Sequence, residues 1–306
     1  MSNVSILGIF VADLAFRATR PPAMGETIIG AGFKMGPGGK GSNQAVAAAR
    51  AGADVSFISR LGRDAFGEIA LATWRAENIR TDKVVLTDDQ PTGAAYIFVE
   101  EATGENAIIV VPGAGGAITS ADVDRAAADI RSAKVFITQL EQPTDAAMRG
   151  LAIAKQAGVT TIFNPAPAGS LPDAIYPLCD YITPNESEAS VLTSIQVTGV
   201  DSAKAAADRL LQRGVGTALI TLGEAGALYH TARESILVPA FSAGKVVETT
   251  GAGDAFNGGF AAALAAGRPP RDAVRFGCAT AGIAVTRPGT APAMPRLSEI
   301  EALLAR

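Results

Sequence analysis

The most reactive pattern in the chain is a glycine-rich turn directly before an apolar helix. The segment ETTGAGD covers residues 248–254, and Asp254 falls in the first turn of the predicted helix GDAFNGGFAAALAAG. Small residues at a helix start leave backbone N–H groups free beside the positive end of the helix dipole. The segment therefore predicts an anion-binding turn, with Asp254 placed to take a proton from a hydroxyl that attacks phosphorus. The same aspartate is equally compatible with a simple helix cap.

A second glycine-rich segment, GPGGKGSNQ at residues 36–44, precedes the helical run AVAAARAG. Its glycines satisfy the dinucleotide-binding pattern GxGxxG. The preceding GFKM is too short and polar for a central first strand, and Pro37 stiffens the turn, which argues against a nicotinamide site. The Walker A pattern also fails, because Lys40 is followed by glycine instead of Ser or Thr. What the segment does allow is a close approach of a ligand to the backbone.

Apolar runs that are typical of strands alternate with amphipathic, alanine-rich runs along most of the chain. The strand-like runs are VSILGIFV, VSFIS, VFITQ, TTIFN, YITP and TALIT. Such alternation predicts an α/β fold with a mostly parallel central sheet and helices on both faces.

Two stretches, at about residues 14–36 and 92–112, interrupt this alternation. The first carries Pro21, Pro22 and Gly25, and in the second TGAAYIFVE and NAIIVV flank ATGE, which predicts a β-hairpin. We expect both to form a small β lid over a ligand at the carboxyl ends of the strands. Residues 1–306 are predicted to be a single domain that carries this lid.

The composition excludes several classes of function. The chain has 306 residues, of which 48% are hydrophobic, with 26 basic against 30 acidic residues and no long block of either sign. A nucleic-acid partner is therefore not expected. The first residues lack a basic region ahead of their apolar stretch, and no apolar run reaches the roughly 20 residues of a membrane helix. We expect a cytoplasmic protein without a membrane partner.

Four single residues that could carry chemistry are predicted to be structural. Cys179 and Cys278 are the two cysteines, far apart and without a CxxC pattern, so we expect ordinary buried thiols. His230 is the one histidine and is predicted at the surface of a hairpin turn. Trp74, in the helical run DAFGEIALATWRAENI, is predicted to pack in the core.

Together, the two glycine-rich segments resemble those of the ribokinase, or PfkB-type, family of carbohydrate kinases. The elements concerned are GGKGSNQ at residues 38–44 and GAGD at residues 251–254. The resemblance extends over the whole chain, at residues 8–13, 22–27, 139–141, 164–167, 183–188, 221–223 and 284–289. It implies a Rossmann-like ribokinase fold and an ATP-dependent kinase that uses Mg²⁺ and is stimulated by K⁺.

The resemblance also implies a role for individual residues. Asp254 would be the base, and the amides of Gly251, Ala252 and Gly253 would stabilise the transferring phosphoryl group. The implied sugar contacts, besides Asp254, are Val11, Asp13, Gly39, Lys40, Asn43 and Glu141. The implied ATP contacts are Asn185, Thr221, Gly223, Gly226, Gly253 and Cys278. Asn185 and Glu188 would hold hydrated Mg²⁺, and the implied K⁺ loop contains Glu248, Thr250, Ala284, Arg287, Gly289 and Ala293.

Without the family, several of these residues have simpler interpretations. Asp13 could be a turn residue, Lys40 a solvated loop charge and Glu141 a carboxylate at a helix N-terminus. Asn185 and Glu188 have the spacing of a capping box, and both interpretations can hold at once.

Three positions depart from the ribokinase pattern. Val11 occupies a place where Asn is usual, Glu248 one where Asp is expected, and Ala293 replaces a Ser. An apolar side chain facing a sugar hydroxyl leaves it unpaired, at a cost on the order of 1 kcal/mol or more. The expected reaction is phosphorylation of O5 of a pentose, with ribose first. A deoxyribose, a 2-keto-3-deoxy sugar acid or a nucleoside is the alternative, and a catalytically silent sugar-binding protein is the candidate from another class.

The apolar run AAYIFVE in the predicted lid suggests that a second copy of this chain is a partner. Its edge would otherwise be exposed, and lid strands commonly pair across a dimer in the family that the chain resembles. We therefore expect a homodimer formed through the lid, with a small sugar and ATP as the other partners.

Overall fold

Two β-sheets organise residues 3–306, the part of the chain that the computed structural model describes. The strands are β1 (Asn3–Leu7), β2 (Val11–Ala18), β3 (Gly32–Gly38), β4 (Asp54–Gly62), β5 (Arg80–Thr87), β6 (Thr92–Glu100), β7 (Asn106–Gly113), β8 (Val135–Thr138), β9 (Thr160–Phe163), β10 (Tyr181–Ile182), β11 (Thr217–Thr221), β12 (Ala227–His230) and β13 (Ser235–Val238). The helices are α1 (Lys40–Arg50), α2 (Ala65–Ala76), α3 (Ser120–Arg125), α4 (Ala127–Ser132), α5 (Thr144–Gln156), α6 (Glu186–Thr193), α7 (Val200–Gln212), α8 (Ala252–Ala265), α9 (Pro270–Ala284) and α10 (Leu297–Leu304).

The main sheet has nine strands in the order β13-β12-β11-β10-β9-β8-β1-β4-β5. The strands from β11 to β5 are parallel to their neighbours, and β12 and β13 add antiparallel at one edge. Parallel strands need crossover connections, which the intervening helices provide. The predicted α/β class with a mostly parallel sheet is therefore confirmed.

The second sheet, called the small sheet below, has the order β3-β2-β6-β7. β6 and β7 pair antiparallel, as do β2 and β3, while β2 and β6 are parallel. β2 begins at Val11, directly after the turn that follows β1, so the small sheet grows out of the end of a central strand. This connection brings β2 to the same edge of the main sheet as the start of α1.

Apolar side chains form a core on each face of the main sheet, because successive residues of a strand point to opposite sides. In β8, Val135 and Ile137 join one cluster and Phe136 the other. Trp74 belongs to the first cluster, is fully buried and donates from Nε1 to Ser42 Oγ at 2.9 Å, which confirms its predicted packing role.

Helices α1 and α8 cross at close range because α8 carries a glycine at the contact. A Cβ placed on Gly258 would lie 2.6 Å from the carbonyl oxygen of Gln44 and 2.9 Å from the backbone nitrogen of Ala48. Substitution would therefore push the two helices apart. Since α1 and α8 begin at the two glycine-rich segments, this contact fixes the distance between those segments.

The surface placement predicted for His230 is wrong. β12 extends through this residue, the turn begins only after it, and His230 is 8% exposed. Its Nε2 lies 2.9 Å from Asp208 Oδ1 on α7. The histidine thus joins a strand to the helix packed on it.

Both cysteines are buried free thiols, as predicted. Among the helices of residues 3–306, none has both the length and the apolar character needed to cross a bilayer.

Candidate active site

Polar groups from three separate segments meet where α1 and α8 begin. Asn43 donates from Nδ2 to Asp254 Oδ2 at 3.0 Å, and Gln44 donates from Nε2 to Asp254 Oδ1 at 3.0 Å. The backbone N–H of Lys40 donates to Glu141 Oε2 at 2.7 Å. Residues more than 200 positions apart therefore share one buried polar centre, with Asp254 at its middle.

Two glycines shape the wall beside Asp13. In the β2–β3 register Val11 pairs with Gly38, and a Cβ on Gly38 would overlap the carboxylate of Asp13. Gly39 precedes α1 with φ at 86°, and its Cβ would lie 2.6 Å from the carbonyl oxygen of Ile9. A side chain at either position would fill the space that Asp13 occupies or displace the β1–β2 turn.

Carboxyl groups outnumber cationic groups in this centre, and burial raises the pKa values of the carboxyl groups. Burial, the negative charge of Asp254 and that of Glu248 raise the pKa of Asp13 to about 6. Burial is also the main reason that the pKa of Glu141 rises to about 7, and it raises the pKa of Asp254. These groups hold protons more tightly than ordinary carboxylic acids.

Lys40 is the cation that faces these carboxylates. Burial opposes its charge, but the negative charges of Asp254, Glu141 and Glu188 act more strongly together, so its pKa is raised. The ammonium group therefore stays protonated and lowers the cost of ionising Asp254. Lys40 is not the solvated loop charge of the simpler interpretation.

The start of α8 has the open N-terminus that the sequence predicts. Gly251 precedes the helix in the left-handed region with φ at 82°, and among the described residues no side chain caps this end. A Cβ on Gly253 would meet no heavy atom of residues 3–306 within 4 Å. The first backbone N–H groups of a helix have no partners within it, so this turn can receive an anion, although the N–H of Ala252 also donates to the carbonyl of Thr249 at 3.1 Å.

Asp254 does not serve as the cap of this helix. Its side chain accepts from Asn43 and Gln44 on α1, instead of from the amides of its own first turn. It is buried, directly beside the open N-terminus. The arrangement places a potential proton acceptor next to a site for negative charge.

The predicted nucleotide residues lie across the main sheet at the ends of β10 and β11. Asn185 and Thr221 form a parallel bridge, and Gly223 follows with φ at 54° and open space where a Cβ would be. Gly226 has a structural reason of its own, since a Cβ there would overlap the carbonyl oxygen of Val238. Cys278 is 6% exposed, and burial raises the pKa of its thiol to about 12. Its contribution to a nucleotide site would be a packing surface.

Asn185 and Glu188 form a capping box at the start of α6. Glu188 Oε2 accepts from the backbone N–H of Asn185 at 2.9 Å, and Asn185 Oδ1 accepts from that of Glu188 at 2.8 Å. In residues 3–306 no group of three or more His, Cys, Asp or Glu side chains is arranged to hold a metal ion. The two side chains suit contact with a hydrated Mg²⁺ that phosphates hold, since Mg²⁺ usually keeps several waters.

The segment predicted to hold K⁺ folds next to the start of α8. Glu248 Oε2 accepts from the backbone N–H of Gly289 at 2.8 Å, and its own backbone N–H donates to the carbonyl of Val285. The carbonyl of Ala284 already accepts from the N–H of Arg287, and the Arg287 side chain pairs with Glu299. One carboxylate among backbone carbonyls fits a monovalent cation, although one oxygen of Glu248 is taken by Gly289.

Sequence reasoning gave no role to a set of buried amide and hydroxyl side chains behind Asp254. Gln44, Gln139, Asn164, Thr183 and Asn257 are buried and hydrogen-bonded in series. Four of them stand in segments that carry the family resemblance, but their types alone do not reveal that they touch. A signal was available in their position, because each lies at or near a strand end or a glycine turn.

Comparison with known proteins agrees with this geometry. Residues 1–297 match the model of the pfkB family carbohydrate kinases. The chain is 37% identical over 297 residues to the ribokinase of Haemophilus influenzae, covering 97% of this chain and 96% of that one. It is 33% identical over 303 residues to the deoxyribokinase of Salmonella typhi, covering 99% and 98% respectively.

A longer relative and a solved structure extend the comparison. The bifunctional ribokinase/ribose-5-phosphate isomerase A of Fructilactobacillus sanfranciscensis is 42% identical over 265 residues, 86% of this chain, and the match spans 49% of that protein. The structure of Arabidopsis thaliana ribokinase complexed with ribose and ATP superimposes with a TM-score of 0.94 at 30% identity, covering 99% of this chain and 98% of that one.

Proposed function

The chain belongs to the pfkB family of carbohydrate kinases, and we propose that it transfers the γ-phosphoryl group of ATP to O5 of ribose. The observation that carries this proposal is the buried Asp254 carboxylate beside the open N-terminus of α8. A proton acceptor next to an anion-binding turn is what phosphoryl transfer to a hydroxyl requires.

Asp254 accepts the proton of the sugar hydroxyl as the new O–P bond forms. The bond between the γ-phosphorus and the bridging oxygen breaks, and ADP leaves with that electron pair. The raised pKa of Asp254, caused mainly by burial, brings its basicity closer to neutral pH. The backbone N–H groups of Gly251, Ala252 and Gly253 stabilise the negative charge on the transferring group.

The polar groups around Asp254 recognise the other hydroxyls. Asp13 accepts from vicinal hydroxyls, and the ammonium of Lys40 donates to them. Asn43 Oδ1 is buried and finds no partner among the described residues, so a sugar hydroxyl supplies the missing donor. Gly39 lets the start of α1 lie close to the β1–β2 turn beside Asp13, and Glu141 closes the pocket from the loop after β8.

ATP would contact Asn185, Thr221, Gly223 and Gly226, and Cys278 would supply a packing surface for it. Mg²⁺, held through water by Asn185 and Glu188, would neutralise charge on the phosphates. K⁺ would lie in the segment of Glu248, Thr250, Ala284, Arg287, Gly289 and Ala293. Glu248 is longer than the expected Asp and bonds Gly289, which favours a weaker dependence on this ion than in a family member with Asp.

A 2-deoxypentose is the second candidate substrate, and Val11 is the observation that favours it. Val11 and Asp13 lie two positions apart on β2, so their side chains share one face. Val11 is buried, and its Cγ1 would lie 2.9 Å from a Cβ on Gly93. An apolar surface beside Asp13 suits a carbon that lacks a hydroxyl, and one relative is a deoxyribokinase.

A nucleoside substrate has less support. Its base would stack on an aromatic side chain, and the side chains considered for this role are Phe10, Phe98 and Phe33. Phe10 is buried against Trp74 in an edge-to-face contact with ring centroids 5.9 Å apart. Phe98 is also buried, and Phe33 contacts Phe16 on the small sheet with the two rings tilted by 45° and their centroids 4.9 Å apart. Phe10 and Phe98 are therefore not free to stack on a base, and Phe33 is the one of the three with an exposed ring.

The small sheet serves both as the lid of the single domain and as the surface of a homodimer. Its exposed apolar side chains include Phe16, Phe33, Met35, Tyr96, Ile108 and Ile109. Phe16 contacts both Phe33 and Tyr96, so part of this set is one continuous patch. A contiguous apolar patch of this kind marks an association surface. We place the enzyme in the cytoplasm, where ATP and reduced thiols occur together.

The proposal is tested by ATP consumption in the presence of Mg²⁺ and K⁺. Ribose, 2-deoxyribose, hexoses, a 2-keto-3-deoxy sugar acid and nucleosides are compared, and the product is identified as a 5-phosphate by NMR. Highest kcat/KM with ribose supports the first candidate, and highest kcat/KM with 2-deoxyribose the second. If the protein binds sugars without consuming ATP, the assignment as a sugar-binding protein is supported and the assignment as a kinase is rejected.

A further inference from the structure

A continuous series of buried side chains connects the carboxylate of Asp254 to the backbone of its own turn. Gln44 donates from Nε2 both to Asp254 Oδ1 at 3.0 Å and to Asn164 Oδ1 at 3.1 Å. Asn164 donates from Nδ2 to the carbonyl of Thr183 at 2.9 Å. The series thus runs from α1 to the loops after β9 and β10.

The second half of the series returns to α8. Thr183 donates from Oγ1 to Asn257 Oδ1 at 2.7 Å, and Asn257 donates from Nδ2 to the carbonyl of Gly253 at 2.9 Å. Gly253 directly precedes Asp254. The hydrogen bonds therefore enclose the proton acceptor and the anion-binding turn in one loop.

The direction of each amide in this series is determined from one end. The carbonyl of Thr183 can only accept, so Asn164 must turn its Nδ2 towards it and its Oδ1 towards Gln44. Gln44 must then present its own Nε2, while its Oε1 accepts from Gln139 Nε2 at 2.5 Å. Asp254 consequently faces a donor that cannot rotate away without leaving buried polar groups unpaired.

From this geometry we propose that Gln44 is a positioning residue for the base of the kinase reaction. It holds the Asp254 carboxylate in one orientation and stabilises its ionised form, and the Asn164, Thr183 and Asn257 series keeps Gln44 in place. Asn43 holds the other carboxylate oxygen but contacts the sugar pocket as well, whereas Gln44 reaches Asp254 from behind. This inference rests on the proposed function, because it assigns the base of that reaction.

The charged surroundings of Asp254 limit what else could orient it. Lys40 on α1 stabilises its charge, while the charge of Asp254 raises the pKa of three neighbouring carboxyl groups, Glu141 after β8, Glu188 on α6 and Asp13 on β2. The hydrogen bonds from Gln44 and Asn43 favour the ionised form and lower the pKa of Asp254, although burial keeps it raised. Loss of the Gln44 donor must therefore raise the pKa of Asp254 further.

The test compares Gln44→Met with the wild type, since methionine keeps the length of glutamine but has no N–H donor. We expect kcat to fall by about 100-fold, the loss typical of a misplaced catalytic group, with KM for the sugar within about 3-fold. The acidic limb of the kcat–pH profile should move up by about one pH unit. Gln142→Met is the matched control, because Gln142 is also buried but donates to Thr138 and to the carbonyl of Gln139.

Three outcomes would overturn the proposal. The first is a folded Gln44→Met enzyme whose kcat–pH profile keeps the acidic limb of the wild type. The second is a shift of that limb in Gln142→Met as large as in Gln44→Met. The third is a change of KM in Gln44→Met with kcat unchanged. If Gln44→Met does not fold, Thr183→Val breaks the returning half of the series at nearly constant shape. It should lower kcat by about 10-fold while leaving KM unchanged, and wild-type kcat would contradict the enclosing role.

A readout without turnover separates this inference from the proposed function. The pKa of Asp254 is measured by NMR of ¹³C-labelled aspartate in the ligand-free protein, with Asp254→Asn for assignment. A higher pKa in Gln44→Met supports the positioning role even if no sugar is phosphorylated, and an unchanged pKa refutes it. Absence of phosphoryl transfer by the wild type would instead refute the kinase assignment of this chain.

Discussion

Glu141 accepts a hydrogen bond from the backbone N–H of Lys40 at 2.7 Å, although the two residues are 101 positions apart. The carboxylate therefore lies at the N-terminus of α1, where the helix dipole favours negative charge. It connects the loop after β8 to the glycine-rich segment that precedes α1.

Comparing Glu141→Gln with Glu141→Ala should show how much the hydrogen bond to the Lys40 N–H contributes to stability, because both variants lack the negative charge. Glutamine keeps an oxygen acceptor for the Lys40 N–H, whereas alanine removes it, at a cost of about 1 kcal/mol. We expect Tm of Glu141→Ala to lie about 1–2 °C below that of Glu141→Gln in thermal unfolding at pH 8. Equal Tm values would show that the hydrogen bond contributes nothing to stability.

Asp13→Asn should stabilise the ligand-free protein at neutral pH and impair activity. Burial and the charges of Asp254 and Glu248 raise the pKa of Asp13 from its ordinary value of 3.8 to about 6. The folded state therefore binds the proton more tightly, and its ionisation destabilises the fold progressively as pH rises from about 4 to 6. Below pH 4 the carboxyl is neutral in both states.

We expect Tm of Asp13→Asn to exceed the wild-type Tm by a few degrees at pH 8 and to equal it at pH 3.5. Scanning calorimetry at both pH values measures the difference, with Asp201→Asn on the exposed start of α7 as the control. A lower Tm than wild type at pH 8 would contradict the assignment of Asp13 as a destabilised, functional carboxylate.

Asp254→Asn should lower kcat by about 10²- to 10⁴-fold, the usual contribution of a general base. The fold should persist, because asparagine occupies nearly the same volume and removes a buried charge. Steady-state kinetics, with circular dichroism as the check on folding, measures the effect. Retention of more than a tenth of wild-type kcat would exclude Asp254 as the base.

Val11→Asn should increase the preference for ribose over 2-deoxyribose. The new amide can pair with a hydroxyl beside Asp13, and such a pair discriminates by about 10-fold or more. The ratio of kcat/KM for the two sugars is the measurement, and Val11→Ala controls for the change in volume. An unchanged ratio in Val11→Asn would remove Val11 from the sugar pocket.

Ile109→Lys should dissociate the proposed dimer. Ile109 on β7 is 64% exposed, and a charge there would be buried at the interface without a partner. Light scattering at micromolar concentration should give twice the chain mass of 31.1 kDa for the wild type and a single chain mass for the variant. Val191→Lys on α6, which is 60% exposed, is the control, and a monomeric wild type would contradict the dimer.

The sequence predicts the fold class well because hydrophobic periodicity and glycine turns are local signals. The hairpin of β6 and β7 and the open turn before Asp254 follow from such signals. The partners of Asp254 do not, since the Gln44 contact depends on how α1 and α8 cross. His230 shows the same limit, because its burial depends on β12 continuing one residue beyond the expected turn and on Asp208 of α7.

The glycine at position 258 has a thermodynamic consequence for substrate binding. Since it locks α1 against α8, the packing of these helices itself holds the base beside the anion-binding turn. Sugar binding then does not need to supply free energy for building the catalytic centre, and that energy is available for stabilising the transition state.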